Sequence, residues 1–313
     1  MGFDSSSTTD EVLAGQDLTG KTAIVTGGSG GIGEETARAL TANGAAVTIA
    51  ARNADRLAAA AGRIASATGQ QVETGVLDLA DPASVRAFAE TWLSGHRTLD
   101  LLMNNAGVMG FPLRRSAEGF ELQFATNHLG HFLLTNLLLP ALDAAGSARV
   151  VNTTSAGHNV STVDLDDVNY LDRPYSPLGA YGQSKTANIW FASELDRRWA
   201  DRGVHGFSVH PGGIGGTDLG RDLAPEFMDE IRAAIDGRTD GLSDSKTPTQ
   251  GAATQCWAAT DPALATRGGS YLVDCQIAKP GNNIYKHHAP WAYDTDGAAR
   301  LWDLSNQLLG TDF

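Results

Sequence analysis

Cysteine, aromatic residues and positive charge are all scarce in this sequence. Its 313 residues include two cysteines, Cys256 and Cys275, and no Cys-x-x-Cys pair. That excludes a disulfide framework and fits a reducing compartment, with both thiols expected to be buried packing groups. No metal site is expected. Lysine and arginine number 23 against 36 acidic residues, a net charge of -13. A surface of that sign repels phosphates, which argues against nucleic acid or an anionic membrane as a main partner. The opening stretch, MGFDSSSTTDEVLAGQD, has no apolar core and no basic region. Neither a secretory signal nor a membrane anchor is expected from it, and the chain is expected in the cytoplasm. Residues 1–16 read as a flexible tail. No internal repeat or low-complexity block is visible. What remains is ordinary for a globular chain, with 42% hydrophobic and 19% charged residues.

Glycine is plentiful, at 36 residues, and its placement carries information. Thr22 to Thr26 is a short β-branched run that ends in glycines, so a buried strand is expected. Glu34 to Ala42 has helical spacing and stops at Asn43-Gly44. Val47 to Ala51 is a second buried strand. Between the first strand and the helix, Gly27, Gly31 and Gly33 follow Gly-x-x-x-Gly-x-Gly spacing. Such a turn gives a tight bend, close backbone approach to a pyrophosphate and close packing of helix on strand, with free helix N–H groups facing the phosphates. A dinucleotide site is expected here. An acidic residue at the end of the second strand would hold the ribose hydroxyls of NAD. The strand instead runs into Arg52 and Asn53. A guanidinium suits a 2′-phosphate, with Ser29 as a second donor, so NADP(H) is expected rather than NAD(H).

Further along, strands and helices keep alternating. VETGVLDLAD and LDLLMNNAGVMG read as strands three and four, ending at Asp78 and at Asn105, Ala106 and Gly107. A long apolar helix is expected from about Glu118 to Leu142 and contains Asn127, a poor helix former. A fifth strand ends at Ser155, a sixth at Pro211-Gly212, and GGSYLVD is a seventh. This alternation implies a parallel sheet covered by helices on both faces, with ligands at the carboxyl ends of the strands. The segment after Gly212 is rich in glycine and charge and reads as a lid.

Tyr181 and Lys185, in YGQSK, stand one helical turn apart and share a face. A phenol titrates near ~10, and one positive charge about 4 Å away is worth roughly 4 kcal/mol, or about three pKa units. That would bring the tyrosine close to neutrality, where it can give or take a proton.

Taken together, TGGSGGIG, NNAG, Asn127, Ser155, Tyr181, Lys185 and HPG resemble the short-chain dehydrogenase/reductase family, over about Leu18 to Asp274. The resemblance implies an α/β fold: a single Rossmann-type doubly wound domain, residues 17–275, with a seven-stranded mainly parallel sheet. Residues 276–313 would form an extension packed on that domain. It also implies roles. Tyr181 would be general acid in reduction and base in oxidation, and Ser155 would bind the substrate oxygen. Lys185 would lower the tyrosine's pKa and hold the nicotinamide ribose, while Asn127 would hold a relay water. The cofactor contacts expected are Gly27, Ser29, Gly31, Ile32, Gly33, Arg52, Asp78, Leu79, Asn105, Ala106, Gly107, Tyr181, Lys185, Pro211, Gly212 and Ile214.

The 26-position spacing from Ser155 to Tyr181 is similar to that of the retinol dehydrogenase and WW-domain oxidoreductase branch. One departure is the stretched spacing from Pro211-Gly212 to Thr217. Expected pocket walls are His158, Tyr175, Val108, Met109, Phe111, Leu219, Phe227 and Met228, which suit a lipophilic or aromatic ketone, aldehyde or alcohol. A carbon–carbon double-bond reductase and a non-catalytic NADP-binding regulator are the alternative readings. The long helices around Asn127 to Leu142 and Tyr181 to Trp199 are surfaces through which such proteins form homodimers or homotetramers.

Overall fold

A computed structural model describes residues 2–215, 218–220, 222–236, 238 and 245–313. The strands are β1 (Thr22–Thr26), β2 (Ala46–Ala51), β3 (Glu73–Val76), β4 (Leu101–Asn104), β5 (Ala148–Thr153), β6 (Val204–His210), β7 (Gly213–Ile214), β8 (Ser245–Lys246), β9 (Tyr271–Val273), β10 (Gln276–Ile277), β11 (Lys279–Pro280) and β12 (His287–His288). The helices are α1 (Thr9–Val12), α2 (Gly31–Ala42), α3 (Ala54–Thr68), α4 (Pro82–Gly95), α5 (Leu122–Phe124), α6 (Gly130–Ala144), α7 (Pro177–Trp199), α8 (Phe227–Ile235), α9 (Pro248–Thr260) and α10 (Thr295–Leu309).

One sheet has the order β10-β9-β6-β5-β4-β1-β2-β3. Its strands are parallel except β10, which folds back antiparallel on β9. The order reverses direction between β1 and β4, which opens a crevice at their carboxyl ends. Central strands buried on both faces need near-continuous apolar runs. Ile24 and Val25 of β1, and Leu102 and Met103 of β4, meet that need and are fully enclosed. One face of the sheet is covered by α2, α3 and α9. The other is covered by α4, α6 and α7, with Trp302 of α10 packed among them.

The sheet has eight strands rather than the seven expected. The extra strand is β10, whose two residues are too short to show a period-two pattern. The opening residues also differ from the flexible tail read for them. Thr8 and Glu11 form a reciprocal capping box that starts α1. Val12 and Leu13 are buried in the same core as α2 and α9. The long helix expected from Glu118 is also interrupted. It begins at Leu122 and passes through a π-helical turn, Ala125–Leu129, before α6. Finally, α10 lies across α7, where Trp302 packs against Phe132 and Phe191. The face that the resemblance assigns to assembly is thus partly covered from within the chain. No helix among the described residues is long and apolar enough to cross a membrane.

Candidate active site

The crevice is built first from glycine. Gly27 and Gly31 take φ values of 70° and 57°, the left-handed region that side chains rarely adopt. Gly30 caps α2 without a side-chain hydrogen bond, so the N–H groups of the first turn face the turn itself. Gly33 is close-packed rather than strained: a Cβ there would lie 2.4 Å from the Gly27 carbonyl oxygen and 2.5 Å from Asn105 Nδ2. These features fit the pyrophosphate of a dinucleotide, which needs bare donors and no side chain between.

Asn105 braces this turn by donating from Nδ2 to the Thr26 carbonyl at 2.9 Å. Thr26 is a hub that the sequence did not reveal. Its hydroxyl accepts from the backbone N–H of Asn105 at 2.9 Å and of Ala106 at 3.0 Å. It also pairs with His131 Nε2 at 2.9 Å, and His131 Nδ1 meets the Asn127 carbonyl at 3.0 Å. Burial lowers the His131 pKa to about 4, so the ring is neutral. A carbonyl can only accept, so Nδ1 carries the proton and Nε2 accepts from Thr26. His131 therefore joins the floor of the cofactor crevice to Asn127.

Other expected contacts are distributed unevenly. Arg52 is exposed at the end of β2, and Ser29 is half-buried in the turn. Arg56, not singled out from sequence, brings its guanidinium beside the turn, where a Cβ on Gly30 would be 3.4 Å from Nη2. Its position in the first turn of the helix that follows Arg52 was the available signal. Asp78 is half-buried and caps its own loop, accepting from Ala80 N–H at 3.0 Å. Leu79 turns its side chain into the core beneath α4 and α6. Gly107 is close to both Asn127 and Lys185, with a Cβ there 3.3 Å from Asn127 Oδ1 and 3.4 Å from Lys185 Nζ. Pro211 is buried, Gly212 has φ 91°, and Ile32 and Ile214 both pack on Gly251. Thr217 lies outside the described residues.

The four residues of the expected tetrad converge. Asn127 sits in the π turn, a geometry that frees main-chain groups and recurs at functional sites. Its side chain uses both amide protons and one of the two acceptor positions of Oδ1. Oδ1 accepts from Val108 N–H at 2.8 Å, while Nδ2 donates to the Val108 carbonyl at 3.0 Å and Ser184 Oγ at 2.9 Å. Asn127 is thus a clamp between the strand-four loop and α7. A relay water could donate to its main-chain carbonyl, which His131 already shares, or to the second lone pair of Oδ1.

Ser155 begins a 3₁₀ turn, Ala156–Asn159, and its Oγ accepts from Gly157 N–H at 3.1 Å. Gly157 lies flat on the Tyr181 ring: a Cβ would come within 2.9 Å of Cδ1. Gly182 allows the matching approach from α7, where a Cβ would be 2.7 Å from the Gly157 carbonyl. Lys185 donates from Nζ to the Thr153 carbonyl at 3.0 Å and stands 5.5 Å from the centre of the Tyr181 ring.

The electrostatics differ from the sequence expectation. Burial pushes the Tyr181 phenol up to about 12, with a hydrogen bond to Ser155 acting the other way. Burial pushes Lys185 down to about 7. In water-like surroundings one positive charge would lower the phenol, but here both groups are enclosed and desolvation wins. Two expected pocket walls are also reassigned. His158 is buried with its ring 4.8 Å from that of Tyr271. The Tyr175 hydroxyl is tied to Gln123, Glu121 and the Phe111 carbonyl.

A doubly wound sheet with a glycine turn at its reversal point, and a Ser–Tyr–Lys cluster beside it, defines an oxidoreductase class. A family model described as short chain dehydrogenase matches residues 21–226. The short-chain dehydrogenase/reductase prx1 of Penicillium roqueforti is 41% identical over 296 residues, covering 92% of this chain and 85% of that protein. Retinol dehydrogenase 11 of Mus musculus is 40% identical over 298 residues, covering 94% and 87%. A crystal structure of an uncharacterised protein from Mycobacterium paratuberculosis superposes with a TM-score of 0.73 at 34% identity, covering 100% of this chain and 99% of the other. The chain belongs to the short-chain dehydrogenase/reductase family, oxidoreductases that bind nicotinamide cofactors.

Proposed function

We propose that this chain interconverts a ketone or aldehyde and its alcohol with NADP(H), using Tyr181 as the proton-transfer group. The observation that carries this reading is the convergence of Ser155, Tyr181 and Lys185 beside the glycine turn. The Ser155 Oγ accepts from Gly157 N–H, which leaves its own proton to donate to a substrate oxygen. Tyr181 is held against Gly157, and Ser155 stands close enough to its hydroxyl to pull the phenol's pKa down, so the two groups are placed to address one substrate oxygen. Bound nicotinamide supplies or accepts the hydride. Asn127 fixes the turn of α7 that carries Tyr181 and Lys185 by donating to Ser184, which itself donates to the Tyr181 carbonyl at 2.8 Å.

Preference for NADP(H) is supported by the lack of an acid at the end of β2, by Arg52 there and by Arg56 beside Gly30. A lipophilic or aromatic substrate is supported by an apolar cluster one turn from Tyr181. In it, Leu178 meets Leu223, Phe227 and Ile231 of the lid, with Met109 and Val160.

The test is NADPH consumption against a panel of bulky hydrophobic carbonyls and small charged oxo-acids. Tyr181→Phe should lower kcat by about 10²–10⁴-fold, the usual worth of a positioned proton donor. Tight NADPH binding with no turnover on any carbonyl would leave a regulator instead. Preference for oxo-acids would overturn the substrate class.

A further inference from the structure

The C-terminal segment carries none of the tetrad, yet it is fastened to the turn that begins at Ser155. Asn159 Nδ2 donates to the carbonyls of Ile284 at 3.2 Å and His287 at 3.3 Å. Trp291 Nε1 donates to the His158 carbonyl at 3.0 Å, and Trp190 Nε1 of α7 donates to the Trp291 carbonyl at 2.8 Å. The centre of this arrangement is the His158 ring. The backbone N–H of Ala289 donates to its Nε2 at 3.1 Å. Its Nδ1 lies 2.6 Å from the Ser155 carbonyl.

These two bonds fix the tautomer. A backbone N–H can only donate, so Nε2 is the acceptor. The proton is therefore on Nδ1, which donates to Ser155. Burial lowers the ring's pKa to about 4, with the Ser155 bond opposing, so the neutral form holds at ordinary pH. The ring is also packed on Tyr271 of β9. Residue 289 thus reaches residue 155 through a single rigid, neutral ring with no freedom in its protonation.

We propose that His158 is a positioning residue through which the docked C-terminal segment sets the place of Ser155. It touches neither substrate nor cofactor. Its ring holds the carbonyl of Ser155 alongside the main-chain bond from the His158 N–H at 3.1 Å, while Gly157 N–H holds the hydroxyl. The inference rests on Ser155 being the group that binds the substrate oxygen, where a displacement of ~1 Å costs on the order of 10²-fold in rate.

Three variants of the full chain separate this role from packing. His158→Phe keeps a ring against Tyr271 and removes both hydrogen bonds. His158→Asn keeps a short donor for the Ser155 carbonyl and loses the Ala289 bond. Ala289→Pro leaves the backbone at its present φ of -63°, which proline favours, but replaces the N–H with a methylene that displaces the ring. Expected for His158→Phe and Ala289→Pro is a fall in kcat of about 10–100-fold, with the NADPH KM within about twofold of wild type. His158→Asn should recover most of the loss in His158→Phe. A wild-type kcat in either severe variant would overturn the proposal, and so would His158→Asn no better than His158→Phe.

Amide hydrogen exchange over residues 154–161 gives a reading that needs no turnover. Protection there should fall in Ala289→Pro while that of β5 is kept. Unchanged protection would overturn the proposal by itself. Inactivity of the wild type on every carbonyl would instead count against the proposed function, leaving the exchange result to decide this one.

Discussion

Replacing Lys185 by methionine should make the protein more stable while disabling it. The ammonium is enclosed at 2% exposure, and burial alone lowers its titration from 10.5 to about 7. Keeping at pH 7 an amine that titrates near 10.5 when unfolded costs about 4–5 kcal/mol, at ~1.4 kcal/mol per pH unit. Methionine matches the stem and removes this cost. It also removes the bond to the Thr153 carbonyl, but that oxygen keeps a second donor, Asn188 Nδ2 at 3.1 Å. The lost bond is therefore worth about 1 kcal/mol rather than the larger penalty of an orphaned acceptor. The net expectation is a gain of about 3 kcal/mol, or roughly 5 °C in Tm for a chain of this size.

The pH dependence supplies the sharper check. The folded pKa of Lys185 lies below its unfolded value, the reverse of a lysine in an ion pair. Between about pH 7 and 10.5 the unfolded chain binds the extra proton, so wild-type stability from this group rises with pH across that window. The advantage of Lys185→Met should be full below pH 7 and disappear toward pH 10.5. Urea unfolding of both proteins at pH 6, 7, 8.5 and 10 measures it. A variant less stable than wild type at pH 7, or a gap that does not narrow with pH, would refute the reasoning.

Two further substitutions test the cofactor crevice. Gly33→Ala forces a methyl to within 2.4 Å of the Gly27 carbonyl oxygen, and overpacking of ~1–3 kcal/mol should appear as roughly 5–150-fold weaker dinucleotide binding by titration calorimetry. Alanine's better helix propensity, about 1 kcal/mol, offsets part of the loss of Tm, and wild-type affinity together with wild-type Tm would contradict the packing account. Arg52→Asp should raise the NADPH KM by about 10–100-fold, the worth of a charge-assisted hydrogen bond of ~1.5–3 kcal/mol, and change the NADH KM far less. An unchanged preference would move the recognition of a 2′-phosphate to Arg56 or abolish it.

What the sequence disclosed and what it withheld divide along a physical line. Glycine turns, strand ends and one-turn spacings are local, so TGGSGGIG, NNAG and the Tyr181–Lys185 face could be read directly. The partners that organise the centre are remote. Thr26 meets His131 across 105 positions, and Ala289 meets His158 across 131. Neither histidine has a local pattern that separates it from a core residue. The strand β10 and the turn α1 are too short for any periodicity to register, although the Thr8–Glu11 box was there to be seen. The sign of the tyrosine's pKa change failed for a deeper reason. Spacing fixes which charges are neighbours, and neighbour charge alone lowers a phenol. Burial acts on the same pair with the opposite sign, and it depends on what the rest of the chain packs around them. At Tyr181 the enclosing atoms belong to Gly157, to Ser155 and to α7 itself, so the fold, not the motif, sets the resting state of the centre. Tyr181 therefore rests as a neutral phenol able to donate a proton, which is the form that carbonyl reduction requires.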